Sequence, residues 1–291
     1  MYLFSLLFTL LFSTSTAPAV SAPEQVLYIS TDQGTNWNNF AEGLPEKLQV
    51  RNVAEHQGDL YITTNTMGVY VLPQDGCAWE NRSQGLPIDT KDFFPTTLAA
   101  HDDVLLMGTY AHGVYLSNNG GENWRRALFN INTTVSAFIF NDEMLLAGTH
   151  SGVWQSYDKG ESWQRISTEL TPINDMALHN DQLFVARQNG VGILKGKDIV
   201  WSADVQPDWA LAQLLIGGDY IYVISARDEM FRTKDGDSWE PRLGWFPNGL
   251  PNNNLPEALW SGYKAQIPGE TPPGRIIPTS RGWIVWPGGG C

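Results

Sequence analysis

The sequence predicts an all-β protein, a six-bladed β-propeller whose N- and C-terminal strands pair to close the ring. Three observations predict this fold: a turn motif ending in tryptophan recurs about every 40 residues, each period holds several short strand-like runs, and sustained helical periodicity is missing. The composition agrees, because the 291 residues include 28 glycines and 12 tryptophans but only 17% charged residues. Such a chain favours many short strands joined by tight turns.

The turn motif is clearest in residues 30–37 and 156–163, which share the pattern Ser-x-Asp-x-Gly-x-x-Trp. Weaker or degraded copies occur at residues 75–79, 117–124, 195–201 and 235–239. The six tryptophans of these copies lie at positions 37, 79, 124, 163, 201 and 239, in steps of 38 to 45 residues. One four-stranded propeller blade has about this length.

Each residue type in the motif has a mechanical reason. Glycine tolerates the positive φ of a tight turn, Asp, Asn and Ser accept hydrogen bonds from backbone N–H groups of the same turn, and Trp buries a large flat surface between sheets. The pattern resembles the Asp-box, or BNR, repeat of sialidases, sortilin-type receptors, some glucan hydrolases and photosystem II assembly factors. The resemblance implies that the turns lie on the outer rim of the blades, so that Asp32 and Asp158 are structural.

Three strand-like runs precede each turn and complete the period. The first run is apolar and is interpreted as the innermost strand, at residues 50–55, 96–100, 135–140, 173–178 and 211–216. The second run is rich in β-forming residues, at 60–64, 104–109, 144–149, 183–187 and 220–225. The third run opens with a glycine, at Gly68, Gly113, Gly152 and Gly192.

The two ends of the chain predict how the ring closes. Residues 27–30 look like a third strand, and residues 276–279 and 283–286 look like a first and a second strand. Their pairing would complete a sixth blade and remove the open sheet edges. A seventh blade follows only if the Pro- and Asn-rich residues 244–274 hold a degenerate unit. We interpret that stretch instead as a loop, of a length typical of functional loops.

The N-terminal residues predict export. An apolar run at residues 2–12 is followed by a Ser-, Thr-, Ala- and Pro-rich stretch at 13–22, which is typical of a secretory signal. The run is too short for the roughly 20 residues that span a bilayer. We therefore expect a signal peptide at 1–22 and a single, monomeric propeller domain at 23–291, secreted or periplasmic, with no membrane insertion after cleavage. A buried N-terminal helix or strand is the alternative.

Charge and motif content exclude several kinds of partner. The chain has 18 Lys and Arg against 31 Asp and Glu, a net charge of −13, which repels the phosphates of nucleic acids. The five histidines lack metal-ligand spacing and no glycine-rich phosphate loop is visible, so no metal or cofactor is expected. Cys77 lies in a rim turn and Cys291 ends a Pro-Gly-rich tail, and we expect them to stay unpaired.

A ligand site is predicted at the mouth of the central channel, where the second-to-third-strand loops meet the starts of the innermost strands. Mixed His, Arg, Asp and aromatic groups there suit a polar ligand, either a protein or a carbohydrate. Solvated loop residues are the alternative interpretation of each position. The candidate ligand-binding residues are Arg51, Tyr110, His112, His150, Arg187, Arg227 and Asp228.

The function predicted from these features is non-catalytic, a binding or scaffolding module. The alternative is a glycoside hydrolase of sialidase-like type. Resemblance to sialidases implies three arginines on the substrate carboxylate, an Asp acid, a Tyr–Glu pair and an Arg-Ile-Pro segment, of which only a longer Arg-Ile-Ile-Pro occurs, at 275–278. Resemblance to photosystem II assembly factors implies an arginine-rich patch, for which the acidic chain gives no sign.

Overall fold

A computed structural model describes residues 27–32, 36–46, 48–128, 132–140, 144–205, 207, 211–217, 219–225, 230–242 and 273–287. Several predictions concern residues outside these ranges: the signal peptide, most of the stretch 244–274, Arg227, Asp228 and Cys291. The described residues form six four-stranded antiparallel sheets and no helix. Within this part of the chain, nothing helical is long or apolar enough to cross a bilayer.

Five of the sheets are built from consecutive strands, with the first strand at one edge and the fourth at the other. Sheet I comprises β3 (Val50–His56), β4 (Asp59–Thr64), β5 (Val69–Leu72) and β6 (Glu80–Asn81). Sheet II comprises β7 (Pro95–His101), β8 (Val104–Thr109), β9 (Val114–Ser117) and β10 (Arg125–Arg126). Sheet III comprises β11 (Val135–Phe140), β12 (Leu145–Thr149), β13 (Gly152–Ser156) and β14 (Gln164–Arg165).

Sheets IV and V follow the same plan, whereas the terminal sheet combines strands from both ends of the described chain. Sheet IV comprises β15 (Asp175–His179), β16 (Gln182–Arg187), β17 (Gly190–Lys195) and β18 (Asp198–Trp201). Sheet V comprises β19 (Leu211–Gly217), β20 (Tyr220–Ser225), β21 (Met230–Thr233) and β22 (Glu240–Arg242). The terminal sheet comprises β1 (Tyr28–Ser30), β2 (Asn38–Asn39), β23 (Pro273–Thr279) and β24 (Gly282–Pro287), in the order β2-β1-β24-β23.

Hydrogen bonds between first strands join sheets I to V in chain order. In each case a polar side chain near the start of a first strand donates to a backbone carbonyl of the next sheet. The four links are Asn52 Nδ2 to Thr96 O at 3.0 Å, Thr96 Oγ1 to Val135 O, Ser136 Oγ to Ile173 O, and Asn174 Nδ2 to Leu211 O at 2.8 Å. The first strands therefore lie side by side, with their starts at the same end of the molecule.

The core consists of apolar layers between neighbouring sheets. Each layer combines residues of two consecutive sheets, from the terminal sheet against sheet I to sheet IV against sheet V. A buried tryptophan just before the fourth strand belongs to each of four layers: Trp79, Trp124, Trp163 and Trp239. The predicted role of these side chains, burial between sheets, is confirmed.

The third-to-fourth-strand turns are held by the side chains that the motif predicts. Asp158 accepts hydrogen bonds at Oδ1 from the Ser156 hydroxyl and the Ser162 N–H, both at 2.8 Å. Asn119 accepts equivalent bonds from Ser117 Oγ at 2.8 Å and Asn123 N at 3.0 Å. These polar groups are used within their own turns, which agrees with a structural role.

One tryptophan was assigned to the wrong position. Trp201 was counted as a member of the tryptophan series, but it ends β18, opposite Gly192 of β17. The position before the fourth strand in the other sheets corresponds in sheet IV to Ile199, which is buried. The reason is a shortened turn: Lys195 pairs directly with Asp198, and the chain returns to the fourth strand two residues earlier than in sheets I to III.

The terminal sheet combines the two ends of the described chain. β1 pairs with β24, with Ile29 opposite Ile284, and this strand pairing was predicted. Arg281 fastens the sheet to sheet I by donating from one terminal nitrogen to Gly58 O at 3.1 Å and Pro73 O at 2.5 Å. The number of blades and closure of the whole ring stay predictions, because they depend on how the terminal sheet meets sheet V.

Candidate functional site

The second-to-third-strand loops lie at the same end of the sheets as the starts of the first strands. Asn65 N donates to Gln49 O at 3.1 Å, Tyr110 N to Phe94 O at 2.8 Å, and His150 N to Thr134 O at 2.9 Å. We call this end the loop face, defined by residues 65–68, 110–113, 150–151 and 188–189 with the starts of β3, β7, β11 and β15. It is the surface on which the sequence placed the ligand site.

The loops of sheets I to III are fixed by a recurring threonine. The hydroxyl of the last residue of the second strand donates to the carbonyl of the glycine that closes the loop. The three bonds are Thr64 to Gly68 at 2.9 Å, Thr109 to Gly113 at 2.7 Å, and Thr149 to Gly152 at 2.9 Å. This pattern, a Thr followed by two or three residues and then Gly-Val, repeats visibly in the sequence. It could have indicated that these loops are fixed by a side-chain hydrogen bond.

Arg51 lies on the loop face of sheet I. It is the bulged residue of β3, because Val50 pairs with Thr64 and Asn52 already pairs with Thr63. A bulge redirects the side chain of the extra residue. The Arg51 Nε donates to Asn65 Oδ1, and the Asn65 amide donates to the Gln49 side chain. This chain of contacts orients the guanidinium and leaves its terminal nitrogens without an acceptor among the described residues.

Three further candidates lie on the neighbouring loops. Tyr110 is 52% exposed, and its hydroxyl has no hydrogen-bond partner in the described part of the chain. His112 packs edge-on against Phe93, with ring centroids 5.9 Å apart. His150 stays exposed, but partial burial of its ring lowers its pKa below the ordinary value of 6.5, so the imidazole is neutral at pH 7.

Arg187 lies at the end of β16 and stacks on a tryptophan. Its guanidinium carbon is 3.8 Å from the centroid of the Trp201 ring, a cation–π contact. Its Nε is buried without a hydrogen-bond acceptor. The Trp201 Nε1 donates to both carboxylate oxygens of Glu169, at 3.2 and 3.0 Å. The sequence reasoning selected Arg187 but missed Trp201 and Glu169.

The structure brings five of the seven candidates to one face but not to one point. Arg51 belongs to sheet I, Tyr110 and His112 to sheet II, His150 to sheet III, and Arg187 to sheet IV. Within the described ranges, no two of them share a hydrogen bond or an ion pair. The other two candidates, Arg227 and Asp228, lie outside the described residues. Five polar side chains spread over four sheets suit contacts along an extended ligand.

Metal chemistry has no candidate centre in the described part of the chain. No group of three or more His, Cys, Asp or Glu side chains there is placed to hold an ion. Cys77 is exposed, as an unpaired thiol in the third-to-fourth-strand turn of sheet I.

Comparison with known proteins gives structural relatives only. No protein-family model and no curated protein matches this chain. YCF48 bound to D1 peptide has a TM-score of 0.53 at 13% identity, covering 72% of each chain. The WD40 β-propeller domain of Doa1 has a TM-score of 0.55 at 12% identity, covering 70% of this chain and 72% of that one. The GH74 xyloglucanase from Xanthomonas campestris has a TM-score of 0.57 at 15% identity, covering 76% of this chain and 43% of that one.

These similarities show the fold and no more, since all the identities are low. The chain also spans 65% of the computationally designed Ika8 protein and 33% of an ancestral GH74 enzyme. An all-β chain of four-stranded sheets with these relatives is a β-propeller.

Proposed function

We propose that this protein is an exported, non-catalytic, six-bladed β-propeller of the Asp-box type that binds a polypeptide through its loop face. Pairing of β1 with β24 supports closure into six blades. The hydrogen bonds around Asp158 support the Asp-box assignment. The first 22 residues act as the export signal in this proposal, and a free N-terminus beyond them on the exported protein would test that part.

The binding function is supported mainly by one observation on the loop face: the loop backbones are held by hydrogen bonds, while two side chains keep unused hydrogen-bond donors. The loop backbones of sheets I to III are fixed by threonine hydroxyls, while Tyr110 in sheet II and Arg187 in sheet IV keep donors without a partner among the described residues. Rigid loops lose little conformational entropy on binding. Tyr and Arg are also the residues that most often dominate protein–protein binding energy. A peptide ligand is known for one structural relative, YCF48.

The test is selection of a random heptapeptide phage library on the immobilised protein, followed by binding of synthetic copies of the selected peptides. Tyr110→Ala should weaken binding about thirtyfold, the loss expected for a hot-spot aromatic. Tyr157→Ala is the matched control, since Tyr157 is 67% exposed but lies in the turn of sheet III, away from the loop face. Equal effects of the two substitutions, or no selected peptide, would contradict the proposal.

A glycoside hydrolase is the second candidate, because a xyloglucanase shares the fold. It predicts sustained release of product from xyloglucan or from a fluorogenic sialoside by the purified chain. The binding proposal predicts none above a buffer control, and it is wrong if turnover persists after repurification. A glycan array run beside the peptide selection distinguishes a carbohydrate ligand from a polypeptide.

A further inference from the structure

We propose that Arg187 and Trp201 form a subsite for a carboxylate group of the bound polypeptide. The inference rests on the proposed role of the loop face as a binding surface, and it adds the chemical class that the surface recognises. Its starting point is that sheet IV departs from the repeat in three linked positions on this face.

The first departure is an exchange of the aromatic residue between two paired strands. In sheets I to III the second residue after the loop glycine is aromatic, and it pairs with a polar residue of the fourth strand. The three pairs are Tyr70 with Asn81, Tyr115 with Arg126, and Trp154 with Arg165. In sheet IV the equivalent pair is Gly192 with Trp201, so the aromatic ring comes from the opposite strand.

The glycine is required by this exchange. A Cβ atom on Gly192 would lie 2.8 Å from Val200 O, 2.9 Å from the Ile199 side chain and 3.0 Å from the Trp201 ring. No aromatic residue fits there while Trp201 occupies the space. The carboxylate of Glu169, from the segment that enters sheet IV, then fixes the indole through its Nε1.

The second departure is Arg187 itself. The last residue of the second strand is Thr64, Thr109 and Thr149 in sheets I to III, and each hydroxyl caps its loop. Sheet IV has Arg187 at this position, stacked on the displaced tryptophan. The fold does not need this arrangement, because three neighbouring sheets form with threonine and a third-strand aromatic. Departures from a repeat that the fold does not require are expected at functional positions.

Arg187 also differs from three ion-paired arginines of the described residues. Arg82, Arg125 and Arg232 each form an ion pair with a glutamate. Arg187 has no acceptor in the described ranges although acidic residues outnumber basic ones 31 to 18, and Glu169 is occupied by the indole N–H. A guanidinium binds a carboxylate through two parallel hydrogen bonds. The stacking on Trp201 holds the guanidinium plane in one orientation before the ligand arrives.

The carboxylate has two sources in a polypeptide: the C-terminus or an Asp or Glu side chain. Three synthetic hexapeptide pools separate them. Pool one has a free C-terminus and no acidic side chains, pool two has an amidated C-terminus with Asp and Glu allowed, and pool three has neither carboxylate. Retention of each pool by the immobilised full chain is measured. The expected result is at least about tenfold stronger retention of pool one or pool two than of pool three.

Arg187→Gln should abolish that preference, and Arg187→Lys should keep only part of it, because an ammonium lacks the planar fork. Arg232→Gln is the matched control: Arg232 also stacks on an aromatic ring, Tyr220 at 4.2 Å, but it has its own partner in Glu240. It removes the same charge and should leave the preference unchanged. Thermal unfolding of each variant shows whether the fold is retained.

Three results overturn the inference: equal retention of all pools by the wild type, a preserved preference in Arg187→Gln, or an equal loss in Arg232→Gln. If pool three is retained as strongly as the others and Tyr110→Ala weakens its retention, the loop face binds peptides without recognising a carboxylate. In that case the proposed function stands and the carboxylate subsite is wrong. Retention of no pool would contradict both.

Discussion

Asn174, the residue before β15 of sheet IV, donates from its side-chain Nδ2 to the main-chain carbonyl of Leu211 in sheet V, at 2.8 Å. This bond is the last of the links that join successive first strands. Each link replaces a contact with water by a contact between two neighbouring sheets. The links therefore fix the relative position of sheets that share no strand.

Removing this link should lower stability measurably. Asn174→Ala is expected to reduce the free energy of unfolding by about 1 kcal/mol, the net value of one hydrogen bond whose acceptor is left partly buried. Urea denaturation measures the change. Asn38→Ala, on the exposed strand β2, should have an effect within about 0.5 kcal/mol. A similar loss in both variants would show that the link contributes nothing specific.

The terminal sheet should depend on Arg281. Arg281→Ala removes charge-assisted hydrogen bonds to Gly58 O and Pro73 O, and we expect a loss of about 1.5 kcal/mol. Hydrogen exchange should rise in β1 and β24 more than in sheet III, because the hydrogen bonds of Arg281 hold the terminal sheet against sheet I. Arg165→Ala, on the exposed strand β14, is the control. Uniform exchange across all sheets would contradict a local role.

The loop glycine of sheet III should tolerate no side chain. Gly152 has a φ of +98°, and a Cβ atom there would lie 2.3 Å from Ser167 Oγ and 2.6 Å from Glu169 O. Gly196 has a φ of +66° with no atom within 4 Å of that position. Gly196→Ala should cost about 1 kcal/mol from the backbone alone. Gly152→Ala should lower the free energy of unfolding by at least about 1 kcal/mol more than Gly196→Ala, as measured by urea denaturation. Equal losses would disprove a steric clash of the added Cβ atom with Ser167 and Glu169.

His150 should make stability fall in mildly acidic solution. Burial lowers its pKa below 6.5, so the unfolded chain takes up a proton at a higher pH than the folded one. The free energy of unfolding therefore decreases as the pH falls through 6.5 towards the folded-state pKa. His56, whose pKa is also lowered by burial, adds to the same slope. His150→Gln should flatten part of it in urea denaturation at pH 5 to 7, and an unchanged slope would contradict the assignment.

Much of the fold could be predicted because its signals are local. Apolar runs predicted the first strands, and the span 135–140 agrees with β11 at both ends. The turn residues predicted their own contacts, since Ser156, Asp158 and Ser162 lie within seven positions of one another. The assignment of Trp201 failed because counting residues between tryptophans does not show where a turn has been shortened. Pairing of Lys195 with Asp198 was the missing information.

The candidate site was predicted less well, for a related reason. The topology of a repeat placed Arg51, Tyr110, His112, His150 and Arg187 on the loop face, because the loops of equivalent strands share one end of the molecule. What each side chain contacts was not visible. Trp201 and Glu169 were missed because their contacts join separate parts of the chain: Trp201 of β18 contacts Arg187 of β16 and Glu169 of the segment that enters sheet IV.

Short-range chemistry was thus sufficient to define the repeat and its turns, since those features depend on residues within one period. The pairing of the chain ends followed from the strand order of the repeat, because the N-terminal run lacks a first and a second strand and the C-terminal runs lack a third. Packing in three dimensions decided the rest: the carbonyl that Asn174 reaches, the exchange of Gly192 and Trp201, and the unpaired state of Arg187. These features depend on atoms supplied by separate strands, whose distances are set only when the sheets come together.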